Sequence, residues 1–223
     1  MTLVEYPDDD LMAVHLADTL ASELKSALTH KERVLFVVPG GSTPGPVFDA
    51  LCDARLDWER VDVLLSDERW LPEVHVRSNT RLIRERLLVG KAAAARMLPL
   101  FVKGKAPEEV LAELEAGIVP ALPIDVALLG MGSDMHTASL FPGADRLEEA
   151  LEPRAPVLMP MRAEGVPEAR ITLTARVLRA ALALHVVITG APKKAALERA
   201  RGLEPAQAPV AAVLEEATVH WAP

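Results

Sequence analysis

Short, uninterrupted apolar runs rich in β-branched residues alternate along the chain with longer stretches whose apolar positions recur every three to four residues. The first pattern is that of strands buried on both faces, the second that of helices with one face in a core. Buried strands are predicted at 34–38, 61–65, 124–129 and 184–189, each bounded by Gly, Pro or charged residues, with shorter candidates at 157–159, 171–174 and 218–221. Helical spacing is clearest at 11–28, 46–54, 80–88, 107–118, 175–181 and 192–200. Strands joined by helical crossovers over most of the length predict an α/β class with a mostly parallel central sheet. No Gly/Ser linker, block of like charge or fixed-period repeat divides the chain, so a single domain over 1–223 is expected. The tetra-alanine at 92–95 reads as a helix end or spacer, and the Pro-rich stretch at 153–167 as a surface excursion.

Composition narrows the class of partner. The chain has 223 residues, is 50% hydrophobic and carries a formal charge of −8. That balance excludes a disordered tail, a nucleic-acid binder driven by bulk charge, and a disulfide scaffold. Cys52 is the only cysteine, so no internal disulfide forms and a reducing cytoplasm is the expected compartment. The amino terminus carries three consecutive acids and no basic segment ahead of a long apolar run, unlike a secretory signal, and the apolar runs are too short to span a bilayer. Arg outnumbers Lys 17 to 7, Pro reaches 18, and Asn79 and Gln207 are the only side-chain amides. A G+C-rich genome or a heat-adapted host accounts for this bias, and against it Asn79 marks its segment.

In parallel α/β sheets ligands collect at the carboxyl ends of the strands, which directs attention to four places. The turn Gly40-Gly41-Ser42-Thr43-Pro44 follows the strand at 34–38. Thr43 is the expected N-cap and Pro44 the first helical residue, and the exposed N–H groups and hydroxyls suit a phosphate. No Lys follows at Walker spacing, and Met135 occupies the third glycine position after Gly130 and Gly132, so neither nucleotide motif is complete. Next, Asp67-Glu68-Arg69, with Asn79 close behind, follows the strand at 61–65; such a cluster binds sugar hydroxyls or a developing anion, or is only a solvated ion-pair cluster. The third place runs from Gly130 to Ser139, where His136 alone among six histidines sits in a Gly-rich loop beside an acid, Asp134, and hydroxyls. Its neutral imidazole suits a general base, although His75 in another loop stays in contention. Finally Arg170 and Lys193 supply cations near strand ends for an anionic ligand. A serine-esterase elbow, a zinc-hydrolase motif and paired cysteines are all lacking, and no metal is expected.

Taken together, these loops resemble the 6-phosphogluconolactonase family, in order and along nearly the whole chain. The matching blocks are Gly40 to Pro44; Asp67-Glu68-Arg69 with Pro72, Ser78 and Asn79; Gly130-Met131-Gly132 through His136-Thr137-Ala138-Ser139-Leu140-Phe141-Pro142; Arg170 to Thr174; and Gly190 with Lys193 and Leu197. The resemblance implies a three-layer α/β/α fold like that of glucosamine-6-phosphate deaminases and ribose-5-phosphate isomerases. It also implies cofactor-free opening of a phosphosugar lactone in the pentose phosphate pathway. Carried across, it gives Gly40, Gly41, Ser42, Thr43, Arg170 and Lys193 to the phosphate, and makes His136 the base. Asp67 and Arg69 become candidates for orienting the sugar and stabilising an oxyanion, Asp134 for orienting the imidazole, and Asn79 for contacting the sugar. The family usually has Gly where this chain has Met135, and a positive φ there would cost a Met roughly 1–2 kcal/mol. Two rival functions remain. Glucosamine-6-phosphate deaminases carry a Glu five residues after this His, where this chain has Phe141; a sugar-phosphate sensor would need no turnover, but no basic helix-turn-helix accompanies the domain.

Overall fold

The computed structural model describes residues 1–223. Ten strands are present: β1 (Thr2–Glu5), β2 (Val34–Val38), β3 (Val61–Leu65), β4 (Asp67–Arg69), β5 (Arg96–Met97), β6 (Val126–Gly130), β7 (Leu158–Met161), β8 (Arg170–Leu173), β9 (Ala183–Thr189) and β10 (Thr218–Ala222). The helices are α1 (Asp9–Leu28), α2 (Gly45–Leu51), α3 (Asn79–Arg86), α4 (Leu111–Ile118), α5 (Leu147–Leu151), α6 (Ala175–Arg179), α7 (Ala191–Ala200) and α8 (Ala211–Leu214). Seven strands form one sheet in the order β1-β10-β9-β6-β2-β3-β5, and every neighbouring pair in it is parallel. β4, β8 and β7 form a small antiparallel sheet beside it.

Parallel strands need covered faces, and β2 and β3 accordingly bury all five of their positions. Helix α1 shows how the cover is built. Asp8 caps it by accepting the Leu11 N–H at 2.8 Å, Asp9 and Asp10 sit at the positive end of its dipole, and Lys25 lies in its last turn. Met12, Leu16, Leu20 and Leu24, spaced by four, form its buried stripe. Each such side chain contributes roughly 1.5–3 kcal/mol by burial, and Leu20→Ala would cost about 2–5 kcal/mol. A single cluster of 62 buried apolar residues links these elements.

The chain steps from β1 through β2 and β3 to β5 in one direction, then returns to β6 and steps the opposite way through β9 to β10. Right-handed crossovers therefore place α1, α2 and α3 on one face and the helices after β5 on the other, giving the three layers. The direction reverses between adjacent β2 and β6, and a crevice opens there at the strands' carboxyl ends.

Some local expectations shift. The helix predicted at 107–118 is divided between a 3-10 turn, Pro107–Glu109, and α4. The tetra-alanine falls across the end of another 3-10 turn, Gly90–Ala94. The Pro-rich stretch is not only a surface excursion, because it contains the buried strand β7.

Candidate active site

The turn after β2 is shaped by its glycines. Gly41 has φ +89°, and a Cβ on Gly40 would lie 2.1 Å from Asn79 Oδ1. Thr43 does not act as the cap: the N-cap position is Pro44, there is no side-chain cap hydrogen bond, and the Gly45 N–H donates to the Ser42 carbonyl at 3.1 Å. The turn closes one residue later than expected. Ser42 and Thr43 consequently line the crevice with the two glycines.

On β4 the alternation of a strand separates three polar neighbours. Asp67 and Arg69 face the crevice, whereas Glu68 is fully buried on the other side. The Glu68 carboxylate accepts the N–H groups of Arg69, Asn79 and Thr80 at 2.7–2.8 Å and the Ser78 hydroxyl at 3.0 Å, tying β4 to the start of α3. Asp67 accepts the hydroxyls of Ser66 at 3.0 Å and Ser139 at 2.6 Å. Asn79 Nδ2 donates to the Asp67 carbonyl, and its Oδ1 accepts Arg69 Nη1, both at 2.9 Å. With both polar ends engaged, Asn79 braces the two inward residues. This is a constructed cluster, not a solvated ion-pair group.

The loop after β6 brings in the imidazole. His136 Nδ1 lies 2.6 Å from Asp134 Oδ1, and a Cβ on Gly132 would fall 2.3 Å from that nitrogen, so only glycine fits beneath the pair. Burial pushes the Asp134 carboxyl upward, but the hydrogen bond and charge of His136 outweigh it and hold the group below the usual carboxylate range. An ionised carboxylate only accepts, so the nitrogen facing it, Nδ1, carries the proton; in the neutral form of the ring the lone pair is then on Nε2. Met135 has φ +67°, the glycine-favouring conformation, and Ala138 has φ +49°. Backbone bonds pin the strained residue: the Met135 N–H donates to the Gly132 carbonyl, and the Met135 carbonyl accepts the Val210 N–H, both at 3.0 Å. Phe141 supports the imidazole with ring centroids 4.5 Å apart.

Two cations complete the crevice. Arg170 begins β8 opposite Arg69, with Nη1 3.8 Å from Asp67 Oδ2 and its carbon Cζ 5.6 Å from the Phe141 ring centroid. Its buried Nε has no hydrogen-bond partner. Burial lowers its pKa despite the opposing charge of Asp67. Lys193 sits in the first turn of α7, beyond Gly190 at φ +83°, and burial lowers its pKa as well. Two desolvated cations with unused donors fit an anion.

These pieces surround one cavity of about 310 Å³. Gly40, Gly41, Ser42, Thr43, Asp67, Arg69, Asn79, His136, Arg170 and Lys193 all line it, while Asp134 stands behind the imidazole. His75 does not line it; its Nδ1 accepts the Arg77 N–H at 3.1 Å. His185 and His220 are a buried pair 3.0 Å apart, linked to Glu23 and Tyr6. No group of three His, Cys, Asp or Glu is arranged to hold a metal ion. Sequence reasoning passed over Glu68 as a helix brace, Ser139 as a partner of Asp67, and the Phe141 platform.

A family model described as "Glucosamine-6-phosphate isomerases/6-phosphogluconolactonase" matches residues 7–221. A 6-phosphogluconolactonase of Pseudomonas aeruginosa is 43% identical over 213 residues, covering 93% of this chain and 89% of the relative. One from Rhizobium meliloti is 39% identical over 226 residues, covering 98% and 97%. The crystal structure of a 6-phosphogluconolactonase from Shewanella baltica superposes with a TM-score of 0.96 at 29% identity, covering 100% of this chain and 98% of that one. A monomeric glucosamine-6-phosphate deaminase, 16% identical with a TM-score of 0.82 and coverage of 100% and 97%, is alike in fold alone.

Proposed function

The chain belongs to the glucosamine-6-phosphate isomerase/6-phosphogluconolactonase family, and we propose that it hydrolyses 6-phosphogluconolactone to 6-phosphogluconate in the pentose phosphate pathway. The observation that carries this reading is one cavity lined at once by a glycine-hydroxyl turn with two desolvated cations and by an imidazole held in the tautomer of a base.

The substrate phosphate binds to Gly40 through Thr43 with Arg170 and Lys193. That remote contact holds the lactone carbonyl carbon near a water beside His136. Nε2 takes a proton from the water as its oxygen bonds to the carbonyl carbon, and Asp134 stabilises the imidazolium that forms. Arg69 and Asp67 orient the ring, and Arg69 offers charge to the developing oxyanion. As the bond from the carbonyl carbon to the ring oxygen breaks, the imidazolium returns its proton to that oxygen. A lactone is already an activated ester, so the scheme needs no covalent nucleophile, cofactor or metal.

Phe141 argues against deamination, because an apolar ring in the position of the deaminase Glu moves no proton. The reading extends to the whole chain as one domain with no nucleic-acid or membrane partner: one continuous core links its elements, the formal charge of −8 disfavours a polyanion, and no helix is long and apolar enough to cross a membrane. A cytoplasmic workplace belongs to the same proposal and rests on the lone, buried Cys52. The test is a coupled assay in which glucose 6-phosphate is oxidised to fresh lactone and the lactone's disappearance is followed. Acceleration over spontaneous hydrolysis is expected, and its absence would favour a non-catalytic sensor.

A further inference from the structure

Ser139 sits three residues beyond the base but does not line the cavity, so it is neither a nucleophile nor a substrate ligand. It is fully buried. Its hydroxyl donates to Asp67 Oδ2 at 2.6 Å, and its backbone N–H donates to Thr172 Oγ1 at 3.2 Å. Thr172 is itself the residue opposite Asp67 in the β4–β8 ladder. Ser139 is therefore anchored to both members of one cross-strand pair. The other Asp67 oxygen receives Ser66 Oγ at 3.0 Å, so each carboxylate oxygen holds one hydroxyl and the carboxylate plane is fixed at two points. Ser66 immediately precedes Asp67 in the chain, at the bend between β3 and β4, but Ser139 reaches it from the loop that carries His136. The preceding Ala138 has φ +49°, a conformation that persists in a non-glycine residue only where the surroundings impose it.

We propose that Ser139 is a positioning residue whose hydroxyl fixes the Asp67 carboxylate toward the sugar ring and, through the same contact, sets the spacing between Asp67 and His136. The proposal rests on the lactonase reading. It predicts a loss expressed in turnover more than in KM, since Ser139 touches none of the phosphate ligands and its one link to them, Asp67 Oδ2 to Arg170 Nη1 at 3.8 Å, is beyond hydrogen-bond reach.

The experiment is steady-state lactone hydrolysis by wild type, Ser139→Ala, Ser139→Thr, Asp67→Asn and the Ser139→Ala/Asp67→Asn double variant, with a melting curve for each. Ser139→Ala is expected to fold with a melting temperature close to wild type and to lose about tenfold in kcat, while KM changes by less than about twofold. Ser139→Thr keeps the hydroxyl and recovers most of that loss. In the Asp67→Asn background Ser139→Ala costs less than about twofold, because the carboxylate that Ser139 orients is no longer there. Four results would overturn the proposal: an equal loss in both backgrounds, a loss wholly in KM, a Thr variant no better than Ala, or a Ser139→Ala protein that does not fold. A wild type with no turnover would overturn the lactonase reading and this proposal with it, whereas an active wild type with any of those four results removes the proposal alone.

Discussion

The two ends of the parallel sheet both gather cations around buried carboxylates, but they treat charge differently. At the amino end, Asp62 accepts Arg33 Nη2 at 2.5 Å and Arg96 Nη2 at 2.6 Å, and Lys31 lies 2.6 Å from Asp125. Burial pushes the Asp62 carboxyl upward, yet the two guanidinium hydrogen bonds outweigh it and hold the group below the usual range. At the carboxyl end, Arg170 approaches Asp67 only to 3.8 Å and leaves Nε unpartnered, and Lys193 is desolvated. The cavity at the amino end, about 470 Å³, is the larger of the two. Volume therefore does not mark the site. Paired charges close the amino end of the sheet, while the carboxyl end, where the ligand is proposed to bind, leaves its cations short of partners.

This contrast is broken most sharply at the base. His136→Ala should lower turnover by about 10²–10⁴-fold while 6-phosphogluconate still binds, measured by the coupled assay and by calorimetry. Asp134→Asn comes next. Its amide can donate to Nδ1 and move the imidazole proton to Nε2, so kcat should fall by about 10²-fold with KM nearly unchanged. Arg170→Ala should act mainly on KM, raising it about 10–100-fold, the loss expected when a charge-assisted contact is removed.

Lys193 gives a smaller, pH-dependent effect. Because burial lowers its pKa, its charge is lost below the ordinary lysine value of about 10.4. Affinity for 6-phosphogluconate should weaken as pH rises through that range, and Lys193→Arg should abolish the trend. At the amino end the sign and the observable reverse. Asp62→Asn should leave kcat unchanged but lower stability by about 1–3 kcal/mol, the cost of losing charge-assisted hydrogen bonds whose arginine partners stay partly exposed, seen in a melting curve. With its folded pKa depressed, Asp62 contributes stability above the ordinary carboxylate value, and that contribution disappears as pH falls through the lowered one. The variant should show a shallower acid decline.

The strands flanking the crevice were legible because burial on both faces forces a continuous apolar run, as in β2 and β3, whose bounds match the pattern. β4 was not: it is three polar residues long, and its partner β8 lies about a hundred residues away in sequence. Nothing local distinguished Asp67 from Glu68; the pleat decides which faces the cavity, and the amide donors of α3 claim the other. His136 and Asp134 were visible because neighbouring positions in a Gly-rich loop can meet without a long-range contact. Ser139 was hidden for the opposite reason, since its partner lies 72 residues away and a serine among small polar residues carries no mark of burial. The Thr43 cap failed by one residue, the ordinary reach of uncertainty at a helix start.

The central claim, that four strand ends converge to hold a phosphate at one side and present an imidazole at the other, is tested most directly by a crystal structure with 6-phosphogluconate bound. The account predicts the phosphate against Gly40–Thr43, Arg170 and Lys193, with the bound product's carboxylate within hydrogen-bond reach of His136 Nε2. A phosphate seated instead among Lys31, Arg33 and Arg96, or a carboxylate turned away from the imidazole, would contradict it.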